Sequence, residues 1–358
     1  MPQLDLTATS LDLTRTICDI PSVSGGETAL ADAIHAAVRA LPHLEVYRDG
    51  DTIVARTQLG RSQRVVIAGH IDTVPINGNV PTRDIAIEGE PVLWGRGTVD
   101  MKAGVAVQLK LAAELTDPRI DITWMWYDHE EVDADLNGLT RLARTRPDLF
   151  AGDFAILGEP SNGQVEGGCN GNMRAIVRTR GVRAHSARAW IGENAIHKAA
   201  PVLSRLAEYR PREVPVDGLV YREGMNAVRI VGGVAGNVIP DLCEVEVNYR
   251  FAPSRSAEEA ETHVRDVFAG FDVEVVDIAV GARPGLDAPL AQEFVAAVGG
   301  EARPKYGWTD VARFSAMGVP AVNYGPGDPH LAHHDEERVP HAQIEDVERG
   351  LRAWLRTR

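Results

Sequence analysis

Cysteine is scarce in this sequence: Cys18, Cys169 and Cys243 are the three among 358 residues, and no two form a CxxC pair. An odd, sparse set excludes a disulfide framework and points to a reducing compartment, so a cytoplasmic protein is expected. Long apolar runs are missing as well. None reaches the ~18–20 residues needed to span a membrane. The N-terminal MPQLDLTATSLDLTR has early acidic residues and no apolar stretch of the kind a secretion signal carries. Basic residues are outnumbered, 37 against 51 acidic ones, for a net charge of −14. That balance argues against a nucleic-acid partner, because phosphate binding needs a basic surface. It leaves room for a small anionic substrate held by local arginines. Repeats and low-complexity tracts are absent.

What is present reads as a soluble globular chain, 44% hydrophobic and 25% charged, and long enough for two domains. Three apolar, β-branched runs end in polar residues: RVVIAGHID (64–72), ITWMWYDHEE (122–131) and DFAILGEP (153–160). A fourth, PAVNYGPG (320–327), precedes HLAHHDEE. Continuous apolar runs of this kind are strands buried on both faces. Helical patterns separate them at 27–41, 102–115 and 136–145. The alternation predicts an α/β fold whose mostly parallel central sheet is flanked by helices. From about residue 172 the order changes to strand-helix-strand-strand-helix-strand, the order of a ferredoxin-like α+β unit. It closes near ARPGLDAP (282–289), after which helix (290–298), apolar strand and an amphipathic helix (341–356) return. The expected organisation is a catalytic domain of residues 1–171 and 285–358, interrupted by an inserted domain at 172–284.

Ligands of open α/β sheets bind beyond the carboxyl ends of the strands, and the polar residues fall there. GHIDTVP supplies His70, with Asp72 two residues on and on the same side, placed to orient the ring. WGRGTVDMKAG puts Asp100 in a glycine-rich turn before a helix, where it is either a ligand or a helix cap. Glu130 and Glu131 are adjacent and point apart, so one suits a metal and the other a base. GEP adds Glu159. Imidazole and carboxylate donors in this number are the set zinc takes.

These segments, with a late HxxxE, resemble the dinuclear zinc amidohydrolases that include acetylornithine deacetylase, aminoacylase and carboxypeptidase G. The similarity runs over essentially the whole chain. Within the family, ILGEPSNGQVEGGCNGNMR, RAHSARAWIGENAIHKAA and VNYGPGDPHLAHHDEERVP look like an actinobacterial group of desuccinylases. The resemblance implies two Zn2+ per subunit, with Co2+ as a possible substitute. Asp100 would bridge them, His70 and Glu159 completing one site, Glu131 and His333 the other. His334 is the neighbouring alternative to His333. Glu130 would be the general base, and His185 an oxyanion donor contributed across a homodimer formed by the inserted domain. Asn237, Arg250, Arg313, Thr309 and Gly325 match positions that bind an anionic N-acyl amino-acid substrate such as N-succinyl-diaminopimelate. Acetylornithine deacetylase or a related N-acyl-amino-acid deacylase or dipeptidase activity, or a metal-free binding protein of the same fold, is the competing expectation.

Overall fold

The computed structural model describes residues 3–356; positions 1, 2, 357 and 358 of the expected catalytic domain lie outside them. The chain divides into two compact units. One comprises Met1–Gly167, Pro284–Arg303 and Arg313–Arg358, the other Gly168–Arg283 and Pro304–Ala312. Pro304–Ala312 groups with the second unit, after the chain has already returned to the first.

The first unit is built on an eight-stranded sheet. Its order is Glu45–Asp49, Thr52–Arg56, Asp121–Tyr127, Arg64–His70, Phe154–Leu157, Ala321–Asn323, Glu166–Gly167 and Arg303–Pro304. The four inner strands, from Asp121–Tyr127 to Ala321–Asn323, are parallel. The flanking strands Thr52–Arg56 and Glu166–Gly167 pair antiparallel, so the parallel sheet is confined to the centre. Parallel strands end at one edge of the sheet, which is why His70, Asp128 and Gly158 leave it together.

Burial explains the apolar runs. Val65, Ile67, Ile122, Trp124, Trp126 and Ile156 enter one core cluster. The alternate residues Val66, Ala68, Met125, Tyr127 and Leu157 are buried too, so both faces are covered. Helix Lys102–Glu114 lies against the sheet and is buried throughout its first eleven residues. Its polar side chains are consumed internally: Lys102 Nζ donates to the carbonyls of Ile17 and Ile20, and Gln108 to that of Ala68.

The helix approaches this closely because Gly104 has no side chain. A Cβ there would sit 2.2 Å from the carbonyl oxygen of Gly158. Gly104→Ala gains about 1 kcal/mol of helix propensity and loses about 3 kcal/mol to overpacking against rigid backbone. The expected net destabilisation of about 2 kcal/mol is checked by the urea midpoint. An unchanged midpoint would show that the helix can shift.

The second unit carries a four-stranded antiparallel sheet, Gly224–Gly232, Leu242–Phe251, Gly171–Arg180 and Asp272–Ala279. The spatial order second, third, first, fourth is that of the ferredoxin-like fold. Met173, Ala175, Val177, Val245, Val247 and Phe251 pack in one core with Val202 of helix Ala200–Glu208, Val264 of helix Ala257–Val267 and Phe268, which caps that helix. The first helix of this unit is split into two short ones, Ala195–Lys198 and Ala200–Glu208, because Pro201 opens the second.

Candidate metal centre

His70 is the last residue of its strand and is 1% exposed. It pairs with Tyr127 on one side, and Ala68 pairs with Leu157 on the other. Continued by two residues, that second register brings Glu159 alongside His70; Glu159 is buried as well. The loop carrying Glu159 is braced by Gly325, whose amide donates to Ser161 Oγ and whose carbonyl accepts from the Ser161 and Gly163 amides. A side chain at Gly325 would strike the Gly158 carbonyl at 2.1 Å, so this glycine packs on the Glu159 backbone.

The His70 ring is held from both ends. Nδ1 donates to the Asp72 carbonyl at 3.0 Å, and Nε2 lies 3.0 Å from Asp100 Oδ1. A carbonyl only accepts, so Nδ1 carries the hydrogen and a neutral ring presents a bare lone pair to the Asp100 carboxylate. Two acceptors at 3.0 Å demand positive charge between or beside them. The second imidazole repeats the pattern: His333 Nε2 lies 2.9 Å from Glu131 Oε2 and 3.4 Å from Asp100 Oδ2. One ligand atom from each of His70, Asp100 and Glu131 lies within 4.8 Å of the others.

Burial opposes charge on the His70 ring, yet the Asp100 and Asp72 carboxylates outweigh it and hold its pKa well above the ordinary value. Asp100 and Glu131 raise the half-exposed His333 to about 10. Burial would raise the Asp100 carboxyl, but His333 and His70 pull it below the usual range. The cluster therefore selects positive charge, and its imidazole and carboxylate donors are those that bind zinc.

Asp72 serves two masters. Besides receiving the His70 ring through its carbonyl, its carboxylate accepts the amide of Glu130 on Oδ1 and that of Glu131 on Oδ2, each at 3.0 Å. Ser24 Oγ donates to Oδ2 at 2.7 Å. Burial would lift this carboxyl, but His70 and these donors bring it down to about 2. The two glutamates thus leave one carboxylate in neighbouring positions. Only Glu131 joins the cluster with His70 and Asp100.

The adjacent histidines are separated by backbone. His333 has φ 64°, a conformation that L-residues seldom adopt, and turns its ring toward Glu131. His334 spends its Nδ1 accepting the Glu336 amide within its own turn.

The remaining expected residues lie elsewhere. His185 is exposed in the second unit, its Nδ1 accepting the Ala187 amide. The Asn237 carbonyl accepts from the Ser186 amide, at the end of the paired strands Ala184–His185 and Val238–Ile239. Arg250, at the end of its strand, donates through Nε to Asn248 Oδ1 and has no acidic partner among the described residues. Burial lowers its guanidinium pKa. Thr309 is buried in the second unit, and Arg313 is half-buried on helix Val311–Ala316.

Sequence reasoning assigned nothing to Arg96, and saw Glu337 only as the end of an HxxxE pattern. Both are buried beside Asp100: Glu337 Oε1 accepts the amides of Val99 and Asp100, and Arg96 donates to Oε2 at 2.9 Å.

Comparison with known proteins follows the same lines. A model of the peptidase family M20/M25/M40 matches residues 66–357. A protein of Mycobacterium tuberculosis named putative succinyl-diaminopimelate desuccinylase DapE is 53% identical over 355 residues, covering 98% of this chain and 99% of that one. A succinyl-diaminopimelate desuccinylase of Corynebacterium glutamicum is 47% identical over 365 residues, with 99% and 98% covered. Among solved structures, a tripeptidase from Staphylococcus aureus aligns with a TM-score of 0.78 at 22% identity, over 99% of this chain and 98% of that one.

Proposed function

The chain belongs to peptidase family M20/M25/M40, and from that premise we propose that it hydrolyses the amide of N-succinyl-LL-2,6-diaminopimelate to succinate and LL-2,6-diaminopimelate, a step of lysine and diaminopimelate biosynthesis. It is a metal-dependent amidohydrolase. The observation that carries this reading is the convergence of His70, Asp100 and Glu131 at the strand ends. Full-length relatives at 53% and 47% identity support the choice of acyl group.

In the proposed site His70, Asp100, Glu131, Glu159 and His333 would hold two zinc ions, His70 with Glu159 serving one, Glu131 with His333 the other, and Asp100 shared by both. Bound there, such ions would supply Lewis-acid polarisation of the amide carbonyl and a more acidic water. The protein's own part is proton movement and grip. Glu130 takes the proton from the attacking water on its carboxylate, then delivers it to the departing amine. Asp72 fixes the His70 ring and the Glu130 and Glu131 backbone together. His185 donates to the oxyanion across a subunit boundary. Arg250, lacking an acidic partner, takes a substrate carboxylate in its planar fork, and Asn237, Arg313, Thr309 and Gly325 are the other residues proposed to bind substrate.

A homodimer through the second unit is part of the reading. Gly224–Gly232 is an edge strand, and Val228 and Ile230 on it are 58% and 49% exposed. Such an edge is a template for pairing with a second copy. No helix among the described residues is long and apolar enough to cross a membrane, which accords with the proposed cytoplasmic location.

The acyl group is tested by comparing N-succinyl-diaminopimelate with N-acetylornithine at equal enzyme. A kcat/KM ratio of at least about 10² for the succinyl substrate is expected, since a partly buried arginine without an acidic partner penalises a substrate lacking the matching carboxylate. Preference for the acetyl substrate would overturn the assignment and leave the hydrolase chemistry standing.

A further inference from the structure

We propose that the buried Arg96–Glu337 ion pair is a positioning device for the metal ligands, fixing the backbone of three ligand-bearing segments in one frame. The inference rests on the metal-hydrolase reading above and goes beyond it, because neither side chain is a candidate ligand. Both Glu337 oxygens are already engaged, Oε1 by the Val99 and Asp100 amides at 2.8 and 3.0 Å, Oε2 by Arg96 at 2.9 Å.

Arg96 extends the frame in two further directions. Its Nε donates to the carbonyl of Pro75, in the loop that leaves His70 and Asp72. Its Nη1 also donates to the carbonyl of His334, the residue after His333. One planar guanidinium therefore reaches the His70 loop, the His333 loop and, through Glu337, the Asp100 turn. The His334 carbonyl also accepts the Glu337 amide, and the Gly95 amide donates to the Glu337 carbonyl, so the two partners share backbone bonds. Arg96 is 4% exposed and Glu337 1%, so no water substitutes for a lost partner. An ordinary buried ion pair ties side chain to side chain; this one also bonds the backbone of Pro75, Val99, Asp100 and His334, while Arg96 Nη2 lies 3.7 Å from Asp335 Oδ1.

Glu337→Gln keeps the shape and breaks the frame. An amide has one oxygen: it serves the Val99 and Asp100 amides or it faces Arg96, and in either orientation its NH2 confronts a donor. Arg96→Lys leaves Glu337 its counter-charge, but a single ammonium cannot serve Pro75, His334 and Glu337 together. The measurement is zinc affinity by competition with a chromophoric chelator, alongside thermal melting of the metal-free chain. Both variants are expected to bind zinc about 10–100-fold more weakly than wild type, while the metal-free chain still folds and melts cooperatively, at a lower temperature because a buried pair is disturbed.

Wild-type affinity in either folded variant overturns the proposal. So does a large loss of melting temperature with affinity unchanged, or failure of both variants to fold, since each makes the pair merely structural. A wild-type chain that binds no zinc overturns the metal reading itself and the proposal with it. Wild-type chain that binds zinc beside variants that bind equally well sinks the proposal alone.

Discussion

Glu130→Gln is expected to lower kcat by about 10²–10⁴-fold, the contribution of a well-placed general base, while leaving metal content at the wild-type level. The expectation follows from how the chain delivers the two adjacent glutamates. Asp72 accepts the Glu130 amide on one carboxylate oxygen and the Glu131 amide on the other, so the backbone of both is fixed before either side chain acts. Consecutive side chains then diverge. Glu131 reaches His333 and stands within ligand distance of His70 and Asp100, while Glu130 lies outside that trio. An amide at position 130 preserves size and backbone bonds but cannot accept the water's proton. KM should move little, because the substitution removes an interaction made in the transition state. Steady-state kinetics with metal analysis on the same preparation separates the cases. Loss of metal would make Glu130 a ligand, and near-normal turnover would place the base elsewhere.

Much of this site can be read from the sequence because of where buried strands stop. Arg64–His70, Asp121–Tyr127 and Phe154–Leu157 are apolar on both faces, so the polar residues just beyond them mark a single sheet edge. The ferredoxin-like unit is equally legible, since Gly171–Arg180 and Leu242–Phe251 alternate inward and outward residue by residue. Other parts leave no such trace. The hairpin Arg83–Ile87 and Glu90–Trp94 went unseen because its first strand is exposed along its whole length and carries no buried face. Arg96 and Glu337 were beyond reach for a different reason. Their partners are the backbone atoms of Pro75, Val99, Asp100 and His334, and a backbone amide has no side-chain signature. The two neighbouring histidines differ in the same invisible way: His333 and His334 are identical as letters, and the φ of 64° at His333 sets its ring direction.

A still larger loss is expected from Asp100→Asn, with turnover falling beyond the roughly 10²–10⁴-fold of a lost base and bound metal falling with it. Asp100 is the group that faces both imidazoles, through Oδ1 to His70 at 3.0 Å and through Oδ2 to His333 at 3.4 Å. Asparagine removes the negative charge and offers one oxygen, so it can serve one imidazole side while presenting an NH2 to the other. The His70 ring, fixed by the Asp72 carbonyl with its bare nitrogen toward residue 100, cannot turn to compensate. Folding should survive, because the turn is held at the backbone by Glu337 and helix Lys102–Glu114 is buried independently of the carboxylate. Circular dichroism together with metal analysis after mild purification makes the check. Near-native structure with fewer than two ions per chain, unrestored by added zinc, is the expected result. Two retained ions with substantial activity would mean that separate ligand sets hold them and that Asp100 does not join the sites. The contrast with Glu130→Gln then locates the chemistry: one carboxylate is needed to move the proton, the other to assemble the charge that makes the proton movable.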